Sequence, residues 1–195
     1  MTGLLVGTWP FALVFWGVFL WAFVPEFFVV SGRREPASTP LDANSKRAIM
    51  IGQPVAVLSA FWIAANVPSG ALPGRAWWFA AGIAAIVCGR LLRRHCFRML
   101  GASFTGSVIV SPEQLVIERG AYRNVRHPSY TAGMILFLGI GLALANAISV
   151  AVLLAIVAMT YVYRVRVEER ALAAVIGDPY RQYMRRTRRF IPFVV

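Results

Sequence analysis

YTAGMILFLGIGLALANAISVAVLLAIVAMTYVY (Tyr130–Tyr163) is apolar along nearly its whole length, with one evident turn at Asn146-Ala147. The runs on either side, Tyr130–Ala145 and about Ile148–Tyr163, approach the length that crosses a bilayer as a helix. So short a link makes the two an antiparallel hairpin. The consequence is chemical. Arg126 and His127 stand just before the first run, and Arg164, Glu168 and Glu169 end the second. The hairpin therefore gathers both sets of polar side chains at one end.

Outward from the hairpin, the 195 residues are 58% hydrophobic and only 14% charged, outside the usual range for a soluble globular domain. A first apolar span runs from Leu4 to Val24, or on to Val30, with Pro10 and Pro25 near its ends, where they cost least. SGRREPASTPLDANSKR (Ser31–Arg47) is a polar loop rich in turn formers. A second span covers about Ala48–Val67, and a third covers about Trp77–Leu92, ending at Arg93 and Arg94. A long segment from His95 to Ser129 leads back to the hairpin. Within it SVIV and QLVIERG, around Ser111-Pro112, suggest a small β-hairpin. The expected fold is all-α, a polytopic integral membrane protein of about five transmembrane helices with a C-terminal cytoplasmic or interfacial helical segment. Residues 1–195 read as one membrane domain: three spans in 1–93, then the loop, hairpin and C-terminal helices in 94–195.

The basic residues orient it. Arg33, Arg34, Lys46 and Arg47 lie in the first loop, Arg90 to Arg98 and Arg119 to Arg126 lie in the third, and eight arginines follow the fifth span, whereas only Arg75 falls on the opposite side. The positive-inside rule puts the N-terminus outside and the C-terminus in the cytoplasm. Single cysteines placed at Ser38 and Ser69 are expected to label from opposite sides; labelling from the same side would overturn the five-span topology. The formal charge of +12 fits anionic lipid headgroups beside membrane helices, without recourse to nucleic acid.

Cys88 and Cys96 lack CxxC spacing, and a cytoplasmic Cys96 argues against a disulfide. His95 and His127, with no HExxH and no Cys/His cluster, do not make a zinc site. MTGLLVGTWP lacks the basic n-region of a signal peptide and reads as mature structure.

After the fifth span, VEERALAAVIG continues the helix into the cytoplasm and stops at Gly177, a favourable residue for that position. Asp178 is expected to cap a new helix with Pro179 at its first position. Tyr180, Tyr183 and Met184 share one face of it, and Arg181, Arg185 and Arg188 another. The arginines suit lipid headgroups at the interface; the tyrosines suit either core packing or a pocket wall. FIPFVV should tuck back against membrane or protein. At the hairpin mouth, Tyr161, Arg164 and Glu168 form one stripe, while Glu169 is turned about 100° away. Glu168 is expected to face the mouth. Glu169 is expected to pair with arginines at the surface. Cationic and acidic groups side by side suit a zwitterionic amino acid, although a snorkelling salt-bridged collar would use the same residues.

GAYRNVRHPSYTAG (Gly120–Gly133), the apolar hairpin and VEERALAAVIGDPYRQYMRRTRRFIP (Val167–Pro192) together resemble the membrane-bound isoprenylcysteine carboxyl methyltransferase family and its phospholipid methyltransferase relatives. RHPSY, the EE pair, GDxYxxY and TxRxIP at these spacings carry the likeness, which covers roughly Leu115 to Pro192. It implies S-adenosylmethionine as cofactor, bound at the cytoplasmic ends of the last two spans under the C-terminal segment. It also implies a lipophilic or lipidated acceptor arriving from the bilayer, through an entrance expected between span four and the spans before it. The implied cofactor-binding residues are Tyr122, Arg126, His127, Pro128, Tyr130, Glu168, Tyr180 and Tyr183. Arg126 and His127 would take the cofactor's carboxylate, Glu168 its amino group, and the tyrosines would wall the adenosine and sulfonium. Arg126 and Glu168 are the expected catalytic pair, with no metal. The family's acidic run is often three residues long; here Arg170 stands third. The Gly-rich strand–helix turn of soluble methyltransferases is missing, and Gly139-Ile140-Gly141 reads as helix packing. A phospholipid amine N-methyltransferase, a sterol-reductase-like enzyme using a nicotinamide cofactor, and a scaffold without activity remain as alternatives.

Overall fold

The computed structural model describes residues 3–31, 41–101, 108, 110 and 115–190. Among the described residues there are six α-helices: α1 (Phe11–Ser31), α2 (Ser45–Asn66), α3 (Arg75–Leu100), α4 (Pro128–Ala143), α5 (Ala147–Val175) and α6 (Asp178–Arg186). α2, α3 and α5 are each long and apolar enough to cross a membrane, and Phe11–Pro25 and α4 are shorter apolar helices. Among the described residues there is no β-ladder, only isolated bridges between Ala71 and Asn146 and between Val125 and Arg188. The protein is an all-helical, polytopic membrane protein.

Several boundaries differ from the expected ones, each for a local reason. The first helix starts at Phe11, because Leu5–Gly7 is a separate 3-10 turn. It then continues through Pro25 to Ser31; membrane helices tolerate an internal proline where neighbouring groups satisfy the freed carbonyl. α2 begins at Ser45, since Asp42 folds back on its first turn, its carboxylate accepting from Ser45 Oγ at 3.2 Å and from the Lys46 amide at 3.1 Å. α3 does not end at Arg93-Arg94 but runs on to Leu100. Arg90 and Arg93 are buried in the bundle, and the Arg93 guanidinium donates to the Ser129 carbonyl at 2.7 Å. Part of the suggested β-hairpin, and the tail after Phe190, lie outside the described residues; the described positions 108, 110 and 115–118 form no β-bridge.

α4 packs along α3 so closely that no side chain fits between them at two levels. A Cβ on Gly89 would meet Leu136 N at 2.6 Å and Ala132 O at 2.8 Å, and one on Gly139 would meet Gly82 O and Ile86 N, both at 2.6 Å. Small residues that let backbones touch are the usual means of joining helices in lipid, as expected of Gly139. The seam also bears on access: the acceptor entrance expected between span four and the earlier spans does not run between α3 and α4 over this length. α2 packs on α5, and the core of Phe15, Ile86, Leu136, Ile140, Leu153 and Val157 sits among the helices. Leu58, Trp62, Trp77 and Met159 point outward, which suits a lipid solvent.

The hairpin turn is built by Asn146. Its Oδ1 accepts from the Ser149 amide at 3.0 Å, capping α5, while its Nδ2 donates to Val67 O at 2.8 Å. Ala145 turns through a positive φ of 51° just before it. One end of the hairpin is thus tied to the α2–α3 connection, and the polar residues collect at the other.

Candidate functional site

Gly177, with φ 76°, ends α5 and starts α6. Asp178 does not cap α6 as expected; its carboxylate bonds Arg181 Nη1 at 3.0 Å instead. After α6 the chain returns and lies along the segment before α4. The Arg126 amide donates to Arg188 O at 2.7 Å, the His127 amide to Arg189 O at 3.0 Å, and the Arg188 amide to Asn124 O at 3.0 Å. Thr131 Oγ1 fastens the Phe190 carbonyl at 2.7 Å. Pro128, at the start of α4, keeps His127 out of the helical region (φ −125°, ψ 52°). Its imidazole is buried between the rings of Tyr130 and Phe190, with centroids 5.7 and 6.3 Å away.

Glu169 lies at the centre of this junction, not at the surface. Its side chain is 4% exposed. Oε1 accepts from Arg126 Nε at 2.9 Å and stands 3.4 Å from His127 Nε2, while Oε2 accepts from Arg189 Nε and Nη2 at 3.0 and 2.8 Å. Arg126 Nη1 donates further to the carbonyls of Met184 and Thr187. The expected surface pairing of Glu169 is therefore corrected. The returning segment covers that face of α5 and makes it a second interior.

Glu168 is half-buried on the next face and closes no ion pair among the described residues. Tyr130 donates to its Oε2 at 3.0 Å. The Tyr130 ring meets the Tyr161 ring edge-on, centroids 4.9 Å apart, and Tyr161 accepts from Gln53 Nε2 at 3.1 Å. The stripe of Tyr161, Arg164 and Glu168 thus joins one polar cluster around Tyr130, the polar chamber of this end of the bundle. Gly133 forms part of its wall: a Cβ there would lie 2.5 Å from Tyr161 Oη and 2.9 Å from Arg93 Nη1. Arg164 is buried and pairs with Asp42, its Nη1 2.5 Å from Oδ1 and 2.8 Å from Ser45 Oγ.

Of the tyrosines expected as walls, Tyr122, Tyr180 and Tyr183 are all buried. Tyr183 donates to the Tyr122 carbonyl at 2.6 Å, and its ring lies 5.9 Å from that of Tyr180. The Tyr122 hydroxyl finds no hydrogen-bond partner in the described structure, nor does His127 Nε2. Burial pushes the Tyr183 phenol up to about 12. It raises Tyr180 further, helped by the charges of Glu169 and Glu168, and it raises Tyr122 beside Cys96. All three are neutral donors at any physiological pH.

Asp42, Gln53 and Arg93 were missed by the sequence reading. Arg93 is legible in principle, since a charge inside an apolar run marks a functional position, although the sequence alone puts it at a span's edge. Among the described residues no group of His, Cys, Asp and Glu could hold a metal.

The fold and the chamber define a membrane-embedded helical protein whose polar groups converge at one end of its last hairpin, under a folded-back C-terminal segment. Residues 81–174 match the model of the isoprenylcysteine carboxyl methyltransferase (ICMT) family. Protein-S-isoprenylcysteine O-methyltransferase B of Arabidopsis thaliana is 31% identical over 121 residues, 60% of this chain and 61% of that protein. The Schizosaccharomyces pombe protein-S-isoprenylcysteine O-methyltransferase is 28% identical over 108 residues, 54% of this chain and 46% of its own. This chain thus spans about three fifths, or less, of these curated relatives. A solved structure described as the eukaryotic intramembrane Ras methyltransferase ICMT superposes with a TM-score of 0.63 at 18% identity, covering 98% of this chain and 70% of that one. That likeness is one of fold.

Proposed function

We propose that the protein carries out S-adenosylmethionine-dependent methyl transfer to the carboxylate of a lipophilic, isoprenylcysteine-like acceptor at the cytoplasmic face of its membrane. One observation carries the reading. A half-buried carboxylate without an ion-pair partner among the described residues, Glu168, sits beside Tyr130 and the buried Arg164, with Arg93 across the chamber.

The donor set fits a zwitterionic cofactor. Glu168 offers a carboxylate to an ammonium group, and Tyr122 Oη and His127 Nε2 are buried polar atoms nearby, the latter 3.4 Å from Glu169 Oε1. When bound, S-adenosylmethionine supplies an activated methyl group on a sulfonium. Glu168 holds the amino group, and His127 with Arg126 faces the carboxylate. Tyr122, Tyr130, Tyr180 and Tyr183 enclose the rest and exclude water. Arg126 serves a second purpose, since its bonds to Glu169, Met184 and Thr187 clamp the returning segment over the site.

Arg93 and Arg164 point the acceptor's chemistry toward an anion. A carboxylate is already ionised and needs no general base, whereas an amine must lose a proton before attack. Two guanidinium groups nearby favour the first. The residues have only to align the partners, and orientation can supply roughly 7–11 kcal/mol of barrier reduction. The remaining surroundings, lipid on the outside and a cytoplasmic C-terminus, suit an acceptor that stays in the bilayer.

Two measurements test this together. S-adenosylhomocysteine at 100 times its Kd should add about 2.7 kcal/mol of stability to the detergent-purified protein. Labelled methyl donor should mark a prenylated cysteine in preference to phospholipid. Stabilisation by a nicotinamide cofactor instead, or label appearing only in phospholipid amines, would overturn the reading.

A further inference from the structure

Asp42 lies in the segment before α2, far in sequence from the hairpin, yet it is buried against α5. Its carboxylate holds four groups from three parts of the chain. Oδ1 meets Arg164 Nη1 at 2.5 Å and the Val108 amide at 3.1 Å, and Oδ2 takes the Lys46 amide at 3.1 Å. Ser45 Oγ bridges the pair, 3.2 Å from Asp42 Oδ1 and 2.8 Å from Arg164 Nη1. Tyr163, next to Arg164, donates to the Ala43 carbonyl at 2.6 Å. Ala43 and Asn44 both carry positive φ, 44° and 59°. Consecutive left-handed residues other than glycine are uncommon, and such strain persists only where its surroundings impose it, often beside functional groups.

A helix cap alone does not explain this. The capping bond to Lys46 uses Oδ2, while Oδ1 is aimed at Arg164. That guanidinium lies one helical turn from Tyr161 and one from Glu168, on the wall of the chamber. With Nη1 held by Asp42 and Ser45, and Tyr130 also bonded to the guanidinium, the buried Arg164 has little freedom to turn. We propose that Asp42 and Ser45 are positioning residues, which hold the Arg164 guanidinium toward the anionic group of the acceptor. The first cytoplasmic loop thereby takes part in acceptor recognition by the hairpin. This rests on the proposed methyltransferase reading, in which the acceptor is a carboxylate and Glu168, one turn along the same stripe, holds the cofactor's amino group.

Asp42→Asn is the informative change, because asparagine keeps the volume and caps helices as well as aspartate. The charge facing Arg164 is lost, and with Oδ1 kept as acceptor the amide nitrogen that replaces Oδ2 gives up the bond from the Lys46 amide, a loss that Ser45→Ala does not share. With a prenylated cysteine as acceptor, kcat/KM should fall about tenfold or more, the loss typical of a charge-assisted hydrogen bond. S-adenosylhomocysteine affinity, measured by calorimetry, should stay within a small factor of wild type. Ser45→Ala leaves both charges in place and should raise the acceptor KM several-fold with kcat and cofactor affinity little changed; it decides the matter if Asp42→Asn does not fold. Unchanged acceptor kinetics in the folded variants, or an equal loss of cofactor affinity, would overturn the assignment and leave a purely structural staple. Wild-type protein that binds no S-adenosylhomocysteine overturns the methyltransferase reading and this assignment with it. A working wild type with indifferent variants overturns this one alone.

Discussion

Glu169→Gln is expected to destabilise the protein by about 3–5 kcal/mol, the range for breaking a buried ion pair by removing one partner. The carboxylate is 4% exposed and is shared by Arg126 and Arg189, with His127 alongside. Neutralising it leaves the Arg126 side chain, itself only 9% exposed, without a countercharge. The damage should be directional. Arg189 belongs to the segment that returns over the site, and its attachment to α5 depends on this one side chain. Loss of the charge should loosen 187–190 from 124–127 before the hairpin itself melts. Amide hydrogen exchange would show this as faster exchange at Arg126, His127 and Arg188, whose amides form the junction, with α4 and α5 still protected. Cofactor binding should fall as well, through a lid no longer held down. Unchanged protection at those three amides, together with a wild-type melting temperature, would refute the role.

The two adjacent acids also show how far the sequence could be read. The hairpin was legible because a long apolar run interrupted only at Asn146-Ala147 has few other solutions in a bilayer. Helical phase put Tyr161, Arg164 and Glu168 on one stripe, and the chamber contains all three. The same phase turned Glu169 away, and there the inference stopped short. Whether a face turned away from the chamber meets water depends on what else folds over it. The segment that covers it, Thr187 to Phe190, is short and basic, with no periodicity to reveal its docking. Asp42 was hidden for another reason. Its partner Arg164 lies 122 residues away, and neither residue is unusual in its own stretch. Arg93 was misplaced because a charge near the end of an apolar run reads as an interfacial anchor until packing shows which way it points.

Glu168→Gln should do the opposite of the change at Glu169: little to stability, much to binding. Its carboxylate is half-buried, accepts one hydrogen bond from Tyr130, and closes no ion pair among the described residues. Removing its charge still leaves Arg164 its partner Asp42, and the amide oxygen can still accept from the phenol. Melting of the unliganded protein should stay near wild type. The ammonium group assigned to it would lose a charge-assisted hydrogen bond in partly dehydrated surroundings, worth about 1.5–3 kcal/mol. That corresponds to S-adenosylhomocysteine binding roughly 10- to 150-fold weaker, since each 1.4 kcal/mol is about tenfold. Tyr130→Phe provides the control, because it removes the hydroxyl that orients the acid but keeps the charge, and so should weaken binding less. Titration calorimetry on the three proteins separates the cases. If Glu168→Gln and Tyr130→Phe cost affinity equally, the acid acts only through the tyrosine. If neither costs any, the ammonium group is held elsewhere in the chamber.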